Sequence, residues 1–538
     1  MITRIEIENF KGIGDRVELD LKPITLLFGP NSAGKSTVTH ALHYAREVLG
    51  RRNYDADKTI AGGDFVDLDG FRSFVHMKNT SKSVKLKFRL DLREKPFRRY
   101  FPEVGHLHFD EYALPQISQN VETASVEFWV SYCPHRHKPY VRRYAIEING
   151  VFFGAIESSY EMVYGDDRTE KFLHTNSLVE LNHLHPISDI AFQNLAREPE
   201  IYPLLKSVFL DPSIPLAELG DALPYWGKPL QIDIDLPQLE DPQFAPLGPT
   251  MWKGLDRWSA VISQIMVGPG EILSRELDGF RHLGPFREMI GRNYRPPRSK
   301  DESRWITGLA AWDLLSTKGP EFVGQVSEWL SVGKLNSGYS LELDRYKELP
   351  LDGLAYQLLG THSDPDRVLE DMELIWSYLE EQETKSRLAL RDDRVGLSVT
   401  PQDLGVGISQ LVPIVVLAND AELVVASIEQ PELHIHPGLQ TRLGDLFIHG
   451  IRQSKKLFVL ETHSEHLLLR LLRRIRETSE GELPAGSFPT LLPNEVSVYY
   501  IENDGVGTQI RHLRINETGE FIDRWPHGFF EERAEELF

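Results

Sequence analysis

The octapeptide Gly29-Pro30-Asn31-Ser32-Ala33-Gly34-Lys35-Ser36 fits the pattern G-x-x-x-x-G-K-[ST], and few strings of this length restrict a fold so strongly. Such a loop works only between a buried strand and the first turn of a helix. Both flanks are present. Ile24-Thr25-Leu26-Leu27-Phe28 is a short apolar run suited to a buried strand, and Val38, Ala41, Leu42, Ala45, Val48 and Leu49 recur at helical spacing after it. Gly29 and Gly34 let backbone N–H groups turn inward on phosphate oxygens. Lys35 supplies a point charge to the β- and γ-phosphates, and the Ser36 hydroxyl stands at the helix N-terminus where Mg²⁺ is held. The segment predicts binding of a nucleoside triphosphate.

The rest of the composition sets bounds. A chain of 538 residues is long for one core, so two or three subdomains are expected, and a hydrophobic content of 41% is ample to fill them. With 59 Lys+Arg against 80 Asp+Glu, the net charge of -21 argues against a protein that coats nucleic acid or acidic membranes non-specifically. The single cysteine, Cys133, excludes a disulfide framework and agrees with a reducing cytoplasm. Residues 1–8 alternate like a strand and carry acids, unlike a signal peptide, and no apolar run reaches the roughly 18 residues of a membrane span.

Along the chain, residues 2–8 and the alternating Val17, Leu19 and Leu21 read as strands before the phosphate loop, and Val84 to Leu90 reads as another. From 96 to 275, prolines and scattered aromatic residues leave no clean period. We read this stretch as an irregular inserted α/β subdomain. Residues 305–331 and 366–386 read as helices, the latter with Val368, Met372, Ile375, Trp376 and Leu379 on one side. Two apolar strands, 423–428 and 457–460, flank an amphipathic helix through Leu439, Leu443, Leu446 and Phe447, which predicts a parallel βαβ crossover. Helix 465–477 and strand 495–502 follow. The expected divisions are 1–95, an N-terminal lobe with the phosphate loop; 96–275, the insertion; 276–494, a C-terminal lobe; and 495–538, an extension.

A triphosphatase needs a second acid at the end of a neighbouring buried strand to orient Mg²⁺, and Glu429 ends the 423–428 run. The strand 457–460 ends in Glu461-Thr462-His463-Ser464, where His463 is placed to reach a γ-phosphate. Ligands in open α/β sheets bind outside the carboxyl ends of strands, so these elements converge on one edge.

This set of motifs resembles the ATPase heads of the ABC superfamily, in the branch with RecF, SMC and OLD-type ATPases. The resemblance rests on Ile7-Glu8-Asn9-Phe10-Lys11-Gly12 before the phosphate loop, on Glu429-Gln430-Pro431-Glu432-Leu433-His434-Ile435-His436-Pro437, and on Glu461 to His466. It covers roughly residues 1–95 and the last 260 residues, and not the middle. It implies a mixed-sheet, two-lobed α/β ATPase head that binds ATP and Mg²⁺. Gly29, Asn31, Ser32, Ala33, Gly34, Lys35, Ser36 and Thr37 would hold the nucleotide, Ser36 and Glu429 the Mg²⁺, and Glu429, Gln430, Glu432 and His463 would form the catalytic group. It further implies that Asp403 to Gln410 is the signature motif, with Gly407, Ser409 and Gln410 capping the γ-phosphate of a partner protomer, although the run departs from Leu-Ser-Gly-Gly-Gln. Asp67 to Phe71 is the candidate Q-loop region, without a glutamine.

The main departure is Gln430. Where the family pattern has a Glu that polarises the attacking water, an amide cannot accept a proton. Either Glu432 or His463 substitutes, or hydrolysis is slow. The C-terminal half, with its ending at 525–532, resembles bacterial AAA-annotated ATPases, many of whose relatives work in phage defence beside a separate effector such as a nuclease or toxin. The expectation is a slow ATPase acting as a switch through a homodimer or higher oligomer, with a separate effector as partner and DNA binding left open, or a DNA-repair or DNA-end-associated ATPase or an OLD-type ATPase-nuclease in its place. A zinc reading of His434, His436, His463, His466 and Glu432 competes less well, because those residues already have places in the ATPase motifs. Two basic stretches, 134–143 and 287–304, interleave with Tyr140 and Tyr294 as a nucleic-acid track would, or as an ordinary solvated face.

Overall fold

The computed structural model describes residues 1–56, 68–95, 97, 121–164, 170–182, 184–187, 213–233, 248–291, 294–348, 350–353, 356, 368–382, 384–399, 405–483, 490–505 and 507–526. Among the described residues it is a mixed α/β fold with three sheets, of nine, six and three strands.

The six-stranded sheet carries the phosphate loop. Its members are β3 (Ile24–Phe28), β11 (Phe280–Leu283), β15 (Val425–Glu429), β16 (Leu457–Glu461), β17 (Val496–Asn503) and β18 (Thr508–Leu513), in the order β11-β15-β16-β3-β17-β18. All neighbours are parallel except β17 and β18. The strands β3 and β16 are buried along their whole length, as apolar strands covered on both faces must be. The crossover expected between the two C-terminal strands is present as β15, helix Pro437–Gln453 and β16, and β15 pairs with β16 in parallel.

The nine-stranded sheet is antiparallel and begins with β1 (Ile2–Glu8) and β2 (Val17–Asp20). It continues from β1 through β4 (Val84–Asp91), β5 (Thr123–Cys133), β6 (Lys138–Ile148), β7 (Val151–Tyr164), β8 (Glu170–Val179), β9 (Ser213–Ala217) and β10 (Gln231–Ile232). The described part of 96–275 therefore supplies regular strands, and β4 and β5, on either side of residue 95, pair directly from Val84↔Val130 to Asp91↔Thr123. A 31-residue helix, Gly248–Asp278, packs between this sheet and the phosphate-loop helix Lys35–Arg51. Pro269 interrupts its hydrogen-bond ladder, and the Tyr144 hydroxyl donates to the Met266 carbonyl there at 2.8 Å.

Further along the chain, the stretch expected as helical over 305–331 holds two helices, Leu309–Thr317 and Pro320–Leu330. Gly319, at φ 87, and Pro320 at the first helical position start a new helix there. The three-stranded sheet, β12 (Tyr339–Tyr346), β13 (Lys385–Asp392) and β14 (Leu397–Val399), leans on Pro320–Leu330. Among the described residues one continuous apolar core runs through the sheets and helices, and Trp258, Trp312, Tyr44, Tyr144 and Phe28 are among the fully buried side chains. Among the described residues, no helix is long and apolar enough to cross a membrane.

Candidate functional site

The phosphate loop leaves β3 through Gly29, at φ 143, where a Cβ would lie 1.9 Å from the Ile501 carbonyl oxygen of β17. Only glycine lets the chain turn that close to its neighbour. Gly34, at φ 101, opens the helix Lys35–Arg51 and is approached by the Thr508 hydroxyl, which also donates to the Ala33 carbonyl at 3.3 Å. Asn31 and Ser32 are exposed, Ser32 at φ 62, and Thr37 is buried against the helix start.

Lys35 is buried, and its Nζ donates to the carbonyls of Gly29 at 3.0 Å and Pro30 at 2.9 Å, curling back over the loop it serves. Burial lowers its pKa, against the pull of Glu461, Glu429 and Glu432. The Ser36 hydroxyl donates to Glu461 Oε2 at 2.8 Å, and Glu461 Oε1 stands 3.7 Å from Lys35 Nζ.

Glu429 ends β15 beside it, in direct register with Glu461. Burial, and then the Glu461 charge, push the Glu429 carboxyl up to about 7. His282, at the end of β11, approaches Glu429 Oε1 to 3.5 Å with Nε2. Burial brings His282 down to about 4, so near neutral pH it is an uncharged neighbour.

Gln430 turns at φ 43, and its N–H donates to the Glu461 carbonyl at 2.7 Å, which ties the two strand ends together. Glu432 is half-buried and its oxygens are taken up by the next strand's turn: its Oε2 accepts from the Thr462 hydroxyl at 2.8 Å and its Oε1 from the His463 N–H at 2.7 Å. That carboxylate holds the turn carrying His463. Burial raises the Glu432 pKa and lowers that of His463, with Lys35 adding to the latter. The histidines of the zinc reading are dispersed: His436 caps its helix by accepting from the Gly438 N–H at 3.1 Å, and no group of three or more metal-type side chains stands together among the described residues.

The signature-like segment begins the described residues at Gly405, and Asp403 and Leu404 lie outside them, as does Asp67 of the Q-loop candidate. At the start of helix Val406–Asn419, Gly405 and Val406 are exposed. A Cβ on Gly407 would lie 3.0 Å from the His434 carbonyl, so the segment abuts the loop after β15. Ser409 is buried and donates to the Val406 carbonyl at 2.6 Å. Gln410 is buried too, its Nε2 donating to the Arg287 carbonyl at 2.9 Å. The geometry brings 29–37, 429–432 and 463 to one sheet edge, and links 407–410 to it through Arg287.

Sequence reasoning assigned no role in the site to Glu461, Arg287 or His282. Arg287 is 5% exposed, and its guanidinium donates to the carbonyls of Glu429 at 2.7 Å and Gln430 at 3.4 Å and to Gln410 Oε1 at 3.4 Å. Burial lowers it to about 10, still a cation near neutrality. Arg304 of the same basic stretch is also taken up, by Asp313 and Tyr294, whereas Arg295, Arg298 and Lys300 are exposed and Arg292 lies outside the described residues. In the other stretch Arg143 pairs with Glu157 and Glu180, while Arg136, Lys138 and Arg142 are exposed. The one signal for Glu461 was its place after an apolar run, the same signal that marked Glu429.

The donors suit Mg²⁺, which prefers hard oxygens and binds through one or two carboxylates plus phosphates: Ser36 offers a hydroxyl, and Glu429 and Glu461 offer carboxylates.

Residues 1–104, which contain the phosphate loop, match the family model described as AAA ATPase domain. Residues 491–538 match a second model, described as a protein of unknown function (DUF3696). No curated protein matches the chain. Among solved structures it is similar to the SMC head bound to the C-winged helix domain of ScpA, at 10% identity and a TM-score of 0.37, over 96% of this chain and 98% of that one. It is also similar to the Smc head domain with an extended coiled coil bound to the C-terminal domain of ScpA from Pyrococcus furiosus, at 9% identity and a TM-score of 0.36, over 100% and 98%. The SMC head domain from Thermotoga maritima matches at 8% identity and a TM-score of 0.35, over 96% and 99%. The ATPase-domain match over 1–104 agrees with the ATPase resemblance read from the motifs.

Proposed function

We propose that the chain is an ATP-binding, slowly hydrolysing switch. ATP·Mg²⁺ binds at 29–37, two copies close over two nucleotides, and each copy's 405–410 segment faces the other's triphosphate. The observation that carries this reading is Gln430: it stands beside Glu429 where a proton acceptor is needed, and the nearest alternative, Glu432, is committed to Thr462 and His463. Slow turnover makes the closed, ATP-bound state the long-lived one. That state then controls a partner protein, an effector in bacterial anti-phage defence by the sequence resemblance. The exposure of Gly405 and Val406 supports a surface that meets a second copy.

The test is solution mass with and without ATP·Mg²⁺. The wild type should shift from monomer to dimer on adding nucleotide, and Lys35→Ala should lose nucleotide affinity by at least about 100-fold, roughly 3 kcal/mol, and stay monomeric. A mass that ignores ATP would sink the switch, even if hydrolysis is measurable.

A further inference from the structure

The order of strands separates two acids that the sequence places on equal terms. Glu429 ends β15 and Glu461 ends β16, each closing an apolar run. In the sheet, β16 lies between β15 and the phosphate-loop strand β3, so Glu461 pairs in register with Leu27 on one side and with Glu429 on the other. At a strand spacing of about 4.8 Å, Glu461 is one strand from the loop and Glu429 is two. The hydroxyl that would bind Mg²⁺ lies between the two acids: Ser36 Oγ donates to Glu461 Oε2 at 2.8 Å, and it also stands close enough to Glu429 to favour the charged form of that carboxyl. Glu461 Oε1 also stands 3.7 Å from Lys35 Nζ.

We infer that Glu461 is the positioning carboxylate of the Mg²⁺ site: it takes the Ser36 proton in a hydrogen bond, turns the hydroxyl lone pair toward the ion, and shares the ion's charge with Glu429. This inference rests on the reading of 29–37 as an ATP·Mg²⁺ site. In it, the role usually given to one acid is divided between two neighbouring strands. A hydroxyl donating to a carboxylate presents its oxygen to a cation, and a divalent ion offsets the repulsion of two carboxylates held side by side. Lys35, released from the Gly29 and Pro30 carbonyls, goes to the phosphates.

The experiment is titration of a fluorescent ATP analogue in EDTA and again in Mg²⁺, with Mn²⁺ electron paramagnetic resonance as a direct reading of the ion. The wild type should bind more tightly with Mg²⁺ than in EDTA. Glu461→Gln, nearly the same size, should lose at least tenfold of the gain that Mg²⁺ brings over EDTA. Glu461→Asp, which keeps the charge on a shorter arm, should retain part of it, and thermal unfolding checks that both variants are folded. A Glu461→Gln protein with the full Mg²⁺ gain would overturn the inference. So would an equal loss in EDTA and in Mg²⁺, because that marks a brace for Lys35 and not a metal group. A wild type that binds no nucleotide, or a Lys35→Ala protein that binds as well as wild type, would instead overturn the nucleotide site itself.

Discussion

At the amino ends of its parallel strands, the six-stranded sheet closes its charges on itself. Lys456, fully buried before β16, donates to the Ala418 carbonyl at 2.5 Å. Lys318 meets Asp420 at 2.6 Å, and Arg452 forks onto Glu495 with two contacts of 2.5 Å. At the carboxyl ends of the same strands, Glu429 and Glu461 are placed together, Lys35 is spent on backbone carbonyls, and Gln430 sits at φ 43. Both ends satisfy the same backbone ladder, so the contrast lies in the side chains. One end is arranged for the folded chain alone. The other holds like charges that an incoming cation and polyphosphate would complete, as binding sites commonly do.

That contrast is open to attack, beginning where the effect should be largest. If the carboxyl end lacks only a proton acceptor, Gln430→Glu should raise steady-state phosphate release, on the order of 100-fold or more for a restored general base. Release that is unchanged or lower would place the slow step elsewhere.

Arg287 offers a smaller test on the same side. It ties the Glu429 and Gln430 carbonyls to Gln410 from a buried position, so Arg287→Met should cost about 3 kcal/mol in urea unfolding, because several buried acceptors lose their partner. A cost under about 1 kcal/mol would mean that the 407–410 segment and the Glu429 loop are held together by packing instead.

The amino end gives the smallest effect, and one with a definite sign. Burial holds the Lys456 ammonium down to about 8, whereas an unfolded lysine releases its proton near 10.4. Between those values the unfolded chain binds more protons than the folded one, so stability from this group rises with pH across that window. Measured by urea unfolding at pH 8 and pH 10, wild type should gain about 2 kcal/mol over Lys456→Met, which has no such proton to release. Parallel pH dependence in the two proteins would show that Lys456 keeps its proton, and that the amino end holds its charge as comfortably as a solvated surface.

Much of the site was legible along the chain because it is local. The octapeptide 29–36, the apolar runs ending in acids, and the turn 461–466 each declare themselves within a dozen residues. The nine-stranded sheet did so only in part: β1, β2 and β4 are legible as alternating runs, the strands from β5 onward are not, and their register shows why. β5 and β6 slip between Trp129 and Val130, and β6 and β7 slip between Ile146 and Glu147. Each slip reverses which face a residue takes, so alternation that is clean on either side cancels over the whole strand. The burial along β6 shows this loss of period: Pro139 and Val141 are buried on one side of the slip, and Tyr144, Ile146 and Ile148 on the other. Arg287 was hidden for another reason: a basic residue in a basic stretch reads as solvated, and only the closing of β11 against β15 and the helix at 406–419 makes it a buried cation.

The sequence by itself determined a phosphate loop between a buried strand and a helix, and two further strands ending in Glu429 and Glu461, because strand, loop and helix are set by the order of neighbouring residues. Only the tertiary structure decided which of the two acids takes the Ser36 proton. That depends on β16 entering the sheet between β3 and β15, a choice made by pairing strands more than 400 residues apart, and no local pattern encodes it.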